Sequence, residues 1–379
     1  MSSMMSTVFI LGRMPDLSRA ELDAVLLDSS LYPLAPDVLR FDRAVDDPQT
    51  LISKLGGTIK IGAVIAATTA PETVADDIVA PARGKGKINF GLSWYHSHVP
   101  LRQQLAFGLT VKKILRQRKI SCRLVTSHEA QLTSVVVRTN HCREYLVLPD
   151  GSLARTIAVQ DFSDFTKRDV GRPHRDLKSG TLPPKLARMM VNLARLPLKG
   201  TLLDPFCGSG TILTEAAISG IAEADGVDIS AKAVSESREN LLWAGKHYQT
   251  AATARWSVRQ GDARQLTTVV QQKKFDAVVT EPYLGPPLSG RETRSRLKEI
   301  IDELSTLYLA AFNQFRLVLK PNGRVVFVMP MFMHVKAMMP MSVSGDIPAL
   351  GFTRQLGPLP YFRDDQRVRR QLYVWSKSG

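Results

Sequence analysis

From Leu196 to the end of the chain, short apolar segments alternate with amphipathic ones, and this alternation allows few folds. The apolar segments include GTLLDPF, EADGVDIS, FDAVVTEP and GRVVFVMP, and helical patterns lie between them, the longest from about Arg294 to Leu317. Strands that alternate with helices of this length build a mainly parallel sheet. The sequence therefore predicts an α/β fold for residues 183–379, closed at the C-terminus by an antiparallel pair that includes RRQLYVWSK.

The segment LLDPFCGSGTILTEAA predicts a strand, a glycine-rich turn and a helix that together bind a ligand. Gly208 and Gly210 allow the backbone to approach a ligand closely, and the helix that starts at Thr211 offers free amides. A dinucleotide fingerprint needs a third glycine where Leu213 stands, and no lysine follows as in a phosphate-binding loop. Asp204 would repel a pyrophosphate but suits a cationic sulfonium cofactor that carries an amino group.

Acidic residues follow the next two predicted strands, where parallel strands would bring them to the same edge of the sheet. Asp228, 18 residues after Gly210, is placed to accept hydrogen bonds from ribose hydroxyls, and Asp262 from an adenine amino group. Further residues of the same turns complete the predicted cofactor site: Pro205, Phe206, Ile229 and Ala263.

The stretch FDAVVTEPYLGPPL predicts a buried strand that ends abruptly in a loop rich in proline. Glu281 stands at the strand end, Pro282 stiffens the loop, and Tyr283 adds an aromatic ring. A carboxylate at the end of a strand, beside an aromatic ring and held by prolines, is typical of a base-binding site.

The net charge of +15 is concentrated in one segment. Between Arg83 and Arg143, twelve lysines and arginines stand against one acidic residue, Glu129. Such a density predicts a polyanionic partner, whose phosphates would be contacted by residues within and just after a helix: Lys112, Lys113, Arg116, Arg118, Lys119 and Arg123. That helix, LRQQLAFGLTVKKILRQRK, has Leu101, Leu105, Leu109 and Ile114 as its predicted apolar residues.

Composition argues against several other classes of protein. No stretch approaches the roughly 20 apolar residues that span a bilayer. Three cysteines without a CxxC pair argue against a disulfide framework and a zinc ribbon, so we expect no metal and a reducing, cytoplasmic location.

The segments FILGRMPDLSRAEL, GLTVKKILRQRKISCRLV and LTSVVVRTN, the last predicted as a strand, resemble the N-terminal half of THUMP-domain tRNA methyltransferases. DPFCGSGT is similar to the cofactor motif of the S-adenosylmethionine-dependent enzymes. The closest resemblance is to the archaeal-type enzymes that methylate guanine N2 in tRNA, the position-10 guanosine family. It implies S-adenosyl-L-methionine as cofactor and KSGTLPPKLARMM as a segment over its methionine end, with Thr181 and Leu182 in contact.

The resemblance also implies a division into modules. A ferredoxin-like α+β module is expected over residues 1–80, a THUMP RNA-binding domain over 81–160, and a linker over 161–182. A Rossmann-like class I methyltransferase domain with a seven-stranded, mostly parallel sheet follows over 183–379. The function that this implies is methylation of a guanosine N2 in tRNA, with the THUMP half docking the RNA.

The resemblance implies that Glu281, Pro282 and Tyr283 are the catalytic residues and that Glu281 also borders the cofactor. In such enzymes an acidic acceptor aims the exocyclic amine of a purine, a weak nucleophile, while an aromatic ring stacks on the extruded base. The loop departs, however, from the D-P-P-Y pattern of this family. Aligned by its strand, Glu281 takes the place of the aspartate and Tyr283 that of the second proline; aligned by the tyrosine, Thr280 stands at the acidic position. Three alternatives therefore stay open: a guanine-N2 methyltransferase for ribosomal RNA, an adenine-N6 methyltransferase for DNA, and a tRNA-binding protein that keeps the cofactor fold with weak catalysis. The sequence leaves the oligomeric state undetermined.

Overall fold

A computed structural model describes residues 6–28, 30–80, 86–175, 182–197, 199–335, 337–363 and 366–378. The helices are α1 (Pro15–Leu26), α2 (Pro48–Lys54), α3 (Pro71–Val79), α4 (Leu101–Gln117), α5 (Ser134–Thr139), α6 (Phe162–Val170), α7 (Pro184–Leu193), α8 (Thr211–Ile218), α9 (Ala231–His247), α10 (Gln249–Thr253), α11 (Leu266–Val269) and α12 (Arg294–Val318). The strands are β1 (Thr7–Leu11), β2 (Leu31–Ala35), β3 (Val38–Phe41), β4 (Thr58–Ala66), β5 (Ile88–Trp94), β6 (Cys122–Leu124), β7 (Arg143–Val147), β8 (Leu153–Val159), β9 (Thr201–Asp204), β10 (Glu223–Asp228), β11 (Arg255–Gln260), β12 (Phe275–Thr280), β13 (Leu319–His334), β14 (Ala337–Pro340), β15 (Phe352–Tyr361) and β16 (Val368–Lys377).

The chain divides into two compact units. The first consists of Met1–Pro15 and Asp28–Phe162, and the second of Asp16–Leu27 and Ser163–Gly379. Helix α6 thus occupies part of the predicted linker, and nearly all of it belongs to the second unit.

The first unit is built on one sheet with the strand order β2-β3-β1-β4-β8-β7-β5-β6. Its centre is the antiparallel pair β4 and β8, which brings strands of both predicted N-terminal modules into the same sheet. A buried ion pair links two of its strands, because Lys60 of β4 pairs with Glu144 of β7. The hydroxyl of Ser93 of β5 donates to the same carboxylate at 2.5 Å. The module boundary near residue 80 stays a prediction.

The structure corrects the predicted apolar face of α4. Leu101, Leu105 and Leu109 are each about half exposed, whereas the predicted Ile114 is partly buried against the core. The buried residues of the helix are Gln104, Gly108, Val111 and Leu115. A Cβ atom on Gly108 would lie 3.0 Å from Leu124 of β6. The absence of a side chain at this position allows the helix to lie close to the sheet, and this contact decides which face is buried.

The segment LTSVVVRTN, predicted as a strand, is also different in the structure. It forms the short helix α5, whose N-cap Thr133 accepts a hydrogen bond from the backbone N–H of Val136 at 3.3 Å. Valine-rich runs favour strands only weakly, and here the threonine cap starts a helix instead.

The second unit confirms the predicted α/β fold. Its sheet has the order β11-β10-β9-β12-β13-β16-β15, seven strands among the described residues, and β14 adds a short antiparallel partner to β13. Strands β9 to β13 are paired in parallel, whereas β16 runs antiparallel to β13 and β15. Helix α12 begins at the predicted residue and ends one residue after the predicted end. It packs Phe312 edge-on against Phe327 and Trp375 of the sheet.

The register of the parallel strands determines where the functional residues lie. Leu203 of β9 pairs with Val278 of β12, and Asp204 pairs with Gly226 of β10. The carboxyl ends of these three strands therefore meet at one edge of the sheet, which is where ligands of open α/β sheets bind.

Candidate active site

The turn after β9 contains two glycines with different roles. Gly208 and Gly210 have φ angles of +50° and +80°, in the left-handed region that favours glycine. A Cβ atom on Gly210 would lie 2.3 Å from the hydroxyl of Ser237, so this glycine permits packing against α9. A Cβ atom on Gly208 would meet no atom of the described structure within 4 Å. The backbone at Gly208 therefore borders open space that a ligand can approach closely.

Asp228, at the end of β10, contacts the glycine turn directly. Its carboxylate accepts hydrogen bonds from the backbone N–H groups of Gly208 and Ser230, both at 2.9 Å. The predicted second acid and the glycine turn are thus brought together, and Asp228 holds the turn in its conformation. The next residue, Ile229, is 68% exposed and offers an apolar surface at the same edge.

Asp204 joins the ends of β9 and β12. Its carboxylate is buried and accepts hydrogen bonds from the hydroxyl of Thr280 at 2.6 Å and from the N–H of Phe206 at 3.3 Å. Burial raises the pKa of Asp204 to about 7, and the charges of Asp228 and Glu281 add to the shift, although the two hydrogen bonds oppose it. The three carboxylates are therefore electrostatic neighbours.

Glu281 is held by a residue that sequence reasoning missed. Arg370 forms a fork with it: Nε donates to Oε1 at 2.5 Å and Nη2 donates to Oε2 at 3.1 Å. Both side chains are about 10% exposed. Burial disfavours the charge on Arg370, but Glu281 outweighs this effect and the pKa of the guanidinium is raised.

Strand β16 brings Arg370 to this edge of the sheet, because Arg370 pairs with Pro330 of β13. The available signal in the sequence was the basic start of β16, where Arg367, Arg369 and Arg370 stand together. Strand alternation does not say which of these arginines meets an acid 89 residues earlier in the chain.

The loop after β12 is anchored by the helix that packs beneath it. Tyr308 of α12 donates its hydroxyl to the carbonyl of Tyr283 at 2.6 Å, while the Tyr283 ring is 53% exposed. Pro282, next to it in the chain, is buried. Thr280 lies fully buried within the strand and donates its hydroxyl to Asp204, so Glu281 is the residue at the strand end.

The carboxylate of Asp262 is hydrogen-bonded within its own turn. It accepts hydrogen bonds from the backbone of Arg264 at 2.8 Å and from the guanidinium Nη2 at 2.6 Å, and the hydrogen bonding of Arg264 lowers the pKa of this carboxyl. Ala263 beside it is buried. The turn lies next to Asp228, whose carbonyl accepts the N–H of Gly261 at 2.9 Å. Contact of Asp262 and Ala263 with an adenine stays a prediction.

A second set of hydrogen bonds that the sequence did not predict involves residues 172–174, which lie in the predicted linker. Arg172 donates to the hydroxyl of Thr211, the first residue of α8, at 2.6 Å. Asn240 of α9 donates to the carbonyls of His174 and Ser209 at 3.0 and 2.8 Å. These bonds hold residues 172–174 against the glycine turn and the start of α8. The predicted contact Thr181 lies outside the described residues, and Leu182 is buried just before α7.

The predicted polyanion-binding residues form a basic surface on the first unit. Lys113, Arg116, Lys119 and Arg123 are exposed and Lys112 is half-buried; Leu109, Lys112, Lys113, Arg116 and Gln117 line a shallow depression on α4. Arg118 is also exposed but forms an ion pair with Asp76 at 2.5 Å.

Two further properties concern the described residues as a whole. None of their helices is long and apolar enough to span a bilayer. No three of their His, Cys, Asp or Glu side chains come together as metal ligands would.

Comparison with known proteins yields a family and similar folds. Residues 172–349 match the UPF0020 family, described as an RMKL-like methyltransferase domain. The tRNA (guanine(10)-N2)-dimethyltransferase of Methanothermobacter thermautotrophicus is 36% identical over 154 residues, which are 40% of this chain and 42% of that protein. The chain thus spans less than half the length of that relative. The probable tRNA (guanine(10)-N2)-dimethyltransferase of Methanothermococcus thermolithotrophicus is 32% identical over 143 residues, 38% of this chain and 78% of that protein.

A solved structure has a similar fold over nearly the whole length. TrmN from Thermus thermophilus superposes with a TM-score of 0.56 and covers 98% of this chain and 99% of that one, at 18% identity. At this identity the likeness concerns the fold alone.

Proposed function

Because this chain belongs to the tRNA (guanine(10)-N2)-dimethyltransferase family, we propose that it transfers a methyl group from S-adenosyl-L-methionine to the exocyclic N2 of a guanosine in tRNA. The observation that carries the proposal is the Glu281 carboxylate. It is held by Arg370 at the same sheet edge as the open side of the glycine turn.

The residues at this edge fit the cofactor. The open space beside Gly208 leaves room for the backbone to approach a ligand. Asp204, Asp228 and Glu281 place negative charge around it, which favours a cation and disfavours a pyrophosphate. S-adenosylmethionine supplies, when bound, a methyl group made electrophilic by its sulfonium. Exposed Ile229 and the turn at Asp262 and Ala263 are the residues that we assign to its adenosine.

Glu281 and the loop behind it act on the guanine. The Arg370 fork uses one lone pair on each carboxylate oxygen, so each oxygen keeps a second lone pair for an N–H of the amine. Holding the amine in this way aims its nitrogen and stabilises the positive charge that develops there as the N–C bond forms and the S–C bond of the cofactor breaks. The surplus proton of the methylated amine passes to the carboxylate that holds it. The exposed ring of Tyr283, on a loop fixed by Tyr308, is the surface that we assign to stacking on the base.

The basic surface of the first unit is the docking site that we assign to tRNA. Cationic side chains on one helix and the turn after it suit the phosphates of a structured RNA end, and affinity would fall steeply with salt. The cysteines Cys122, Cys142 and Cys207 are free thiols in the structure, which supports a reducing, cytoplasmic location.

The test is incubation with methyl-labelled cofactor and, in parallel reactions, unmodified tRNA, ribosomal RNA or DNA, followed by nucleoside analysis of each. We expect label in N2-methylguanosine, and we expect Glu281→Gln to lower kcat by about a hundredfold or more with the affinity for S-adenosylhomocysteine within about threefold. The matched control is Glu299→Gln, which removes an exposed carboxylate from an ion pair with Arg296 and leaves activity unchanged.

The other outcomes decide between the alternatives. Label in ribosomal RNA or in N6-methyladenine of DNA would contradict the assigned substrate. Tight tRNA binding without label in any nucleic acid would support a binding protein. Full activity of Glu281→Gln would show that the assigned site is wrong.

A further inference from the structure

The start of β16 holds the loop after β12 at two points. Arg370 binds Glu281 where the loop begins, and Nη1 of Arg367 donates to the carbonyl of Leu288 further along the loop at 2.9 Å. Because the chain is extended here, about 10 Å separates Arg367 from Arg370 at 3.3 Å per residue. Arg367 therefore lies beside the same loop whose first residue we assign to the guanine amine.

Gly290 allows the guanidinium of Arg367 to lie directly on this loop. A Cβ atom on Gly290 would be 2.6 Å from Cζ of Arg367, and the φ angle of +85° also favours glycine. Arg291 is the next residue, and Arg294 is the first residue of α12. With 3.8 Å between consecutive Cα atoms, the Cα atoms of Arg291 and Arg294 are at most about 11 Å apart. Arg291, Arg294 and Arg367 thus share one short stretch of surface, and we call them the loop arginines.

The charges of the loop arginines are not neutralised within the part of the chain that the structure describes. All three residues are exposed and have no ion-pair partner there, whereas Arg296 of the same helix pairs with Glu299. Glu292 is close in sequence, but its carboxylate accepts hydrogen bonds from the backbone N–H groups of Ser289 and Gly290, at 2.6 and 2.8 Å. The first turn of α12 contains no acidic residue. The loop arginines therefore form a positive surface that suits an anionic partner.

This positive surface adjoins an acidic one. Asp204, Asp228 and Glu281 suit a cationic cofactor, but their charges repel the phosphates of an RNA strand that approaches the same edge. A strand that extrudes a base into the site brings its own backbone close to these acids. Cations beside the site offset that repulsion, and the planar fork of arginine matches two phosphate oxygens.

We propose that Arg291, Arg294 and Arg367 bind the phosphates that flank the target guanosine. The inference rests on the proposed function, and it adds a cationic surface on the second unit to the one on α4. At about 3.4 Å per stacked nucleotide, the distance from Arg370 to Arg367 spans about three nucleotides. The loop arginines thus hold the strand that is modified, whereas the surface of α4 contributes affinity for the RNA as a whole.

The experiment measures binding and methylation of unmodified tRNA by the full chain at several salt concentrations. Binding is followed by fluorescence anisotropy of labelled tRNA with saturating S-adenosylhomocysteine. Arg291→Gln and Arg294→Gln should each weaken tRNA binding about fivefold and reduce the slope of log K against log salt by about one. The value of kcat/KM for tRNA should fall by a similar factor, with the affinity for S-adenosylhomocysteine within about twofold. Arg367→Gln also removes the contact with Leu288, so it should lower kcat in addition.

The matched control is Arg316→Gln, in the last turn of the same helix. Arg316 is exposed and, within the described residues, also has no ion-pair partner, but it lies about 33 Å from Arg294 at 1.5 Å per residue. This variant should leave the tRNA affinity, the salt slope and kcat/KM unchanged.

Two results would overturn the inference. One is a tRNA affinity and salt slope in Arg291→Gln and Arg294→Gln equal to those of the unaltered protein. The other is an equal loss in Arg316→Gln, because the effect would then reflect net charge and not a site. If the unaltered protein neither binds nor methylates tRNA, the proposed function itself fails.

Discussion

Asp204→Asn tests the electrostatics of the site most directly. The pKa of Asp204 in the folded protein is about 7, against an ordinary value of 3.8, and burial is the main cause. Because the folded pKa lies above the unfolded one, the folded state binds more protons between these pH values. The free energy of unfolding therefore falls as the pH rises through this range, by about 1.4 kcal/mol per pH unit at most.

The expected magnitude follows from that pKa. At pH 5.5 the folded Asp204 is mostly protonated, and at pH 8 it is mostly ionised, while the unfolded residue is ionised at both. Between these pH values the free energy of unfolding of the unaltered protein should fall by about 2 kcal/mol more than that of Asp204→Asn. Asparagine keeps the acceptor for Thr280 but cannot ionise, so the variant gains stability over the unaltered protein as the pH rises.

The assay is urea unfolding without cofactor at several pH values, comparing midpoints at constant m. The control is Asp276→Asn. Hydrogen bonds from Lys320 and Thr201 outweigh burial and lower the pKa of Asp276, so the change in the free energy of unfolding caused by Asp276→Asn should not vary with pH above 5.5. The reasoning would be refuted if the difference in the free energy of unfolding between Asp204→Asn and the unaltered protein changed by less than about 0.5 kcal/mol across this pH range.

A cationic ligand should make Asp204 favour its ionised form over the protonated form that burial favours. Binding of S-adenosylmethionine favours the ionised carboxylate, so it should release close to one proton at pH 6 and almost none at pH 8. Calorimetry in buffers of different ionisation enthalpy measures this proton, and Asp204→Asn should abolish it. Persistence of the proton in the variant would assign it to another group.

Three further perturbations have distinct expected results. Arg370→Met leaves the nearly buried carboxylate of Glu281 without its fork, so kcat should fall at least about tenfold while the affinity for S-adenosylhomocysteine stays within about twofold. An unchanged kcat would contradict a positioning role. Gly208→Ala places a methyl group in the open space beside the turn, so S-adenosylhomocysteine should bind at least about tenfold more weakly. Because the alanine must also adopt a positive φ, the free energy of unfolding should fall, but only by about 1 kcal/mol. An unchanged affinity would show that the ligand binds elsewhere. Lys60→Met leaves buried Glu144 without its cation, so urea unfolding should show a loss of about 3 kcal/mol or more in the free energy of unfolding. A loss under about 1 kcal/mol would contradict a stabilising role for this buried ion pair.

Local patterns in the sequence were sufficient for much of the second unit. Alternating apolar segments predict the parallel strands, and helical spacing predicts α12 with its start at Arg294. Since the carboxyl ends of parallel strands meet at one edge, the sequence by itself groups the acids at strand ends with the glycine turn. Asp204, Asp228 and Glu281 do lie there together.

The tertiary structure alone decided which distant residues complete the site. Arg370 reaches Glu281 across 89 residues because β16 inserts antiparallel beside β13, and Arg172 reaches Thr211 across 39 residues because a predicted linker docks on the turn. Neither contact leaves a periodic signal, since each depends on strand order and chain path.

Burial was the other property that only the tertiary structure decided. The spacing of Leu101, Leu105 and Leu109 shows that they share one face of α4, but not whether that face meets a partner. Gly108 allows the adjoining face, with Val111 and Leu115, to lie close to the sheet, and the three leucines stay about half exposed. The pKa of Asp204 has the same origin, because desolvation depends on everything packed around a group and not on its neighbours in sequence.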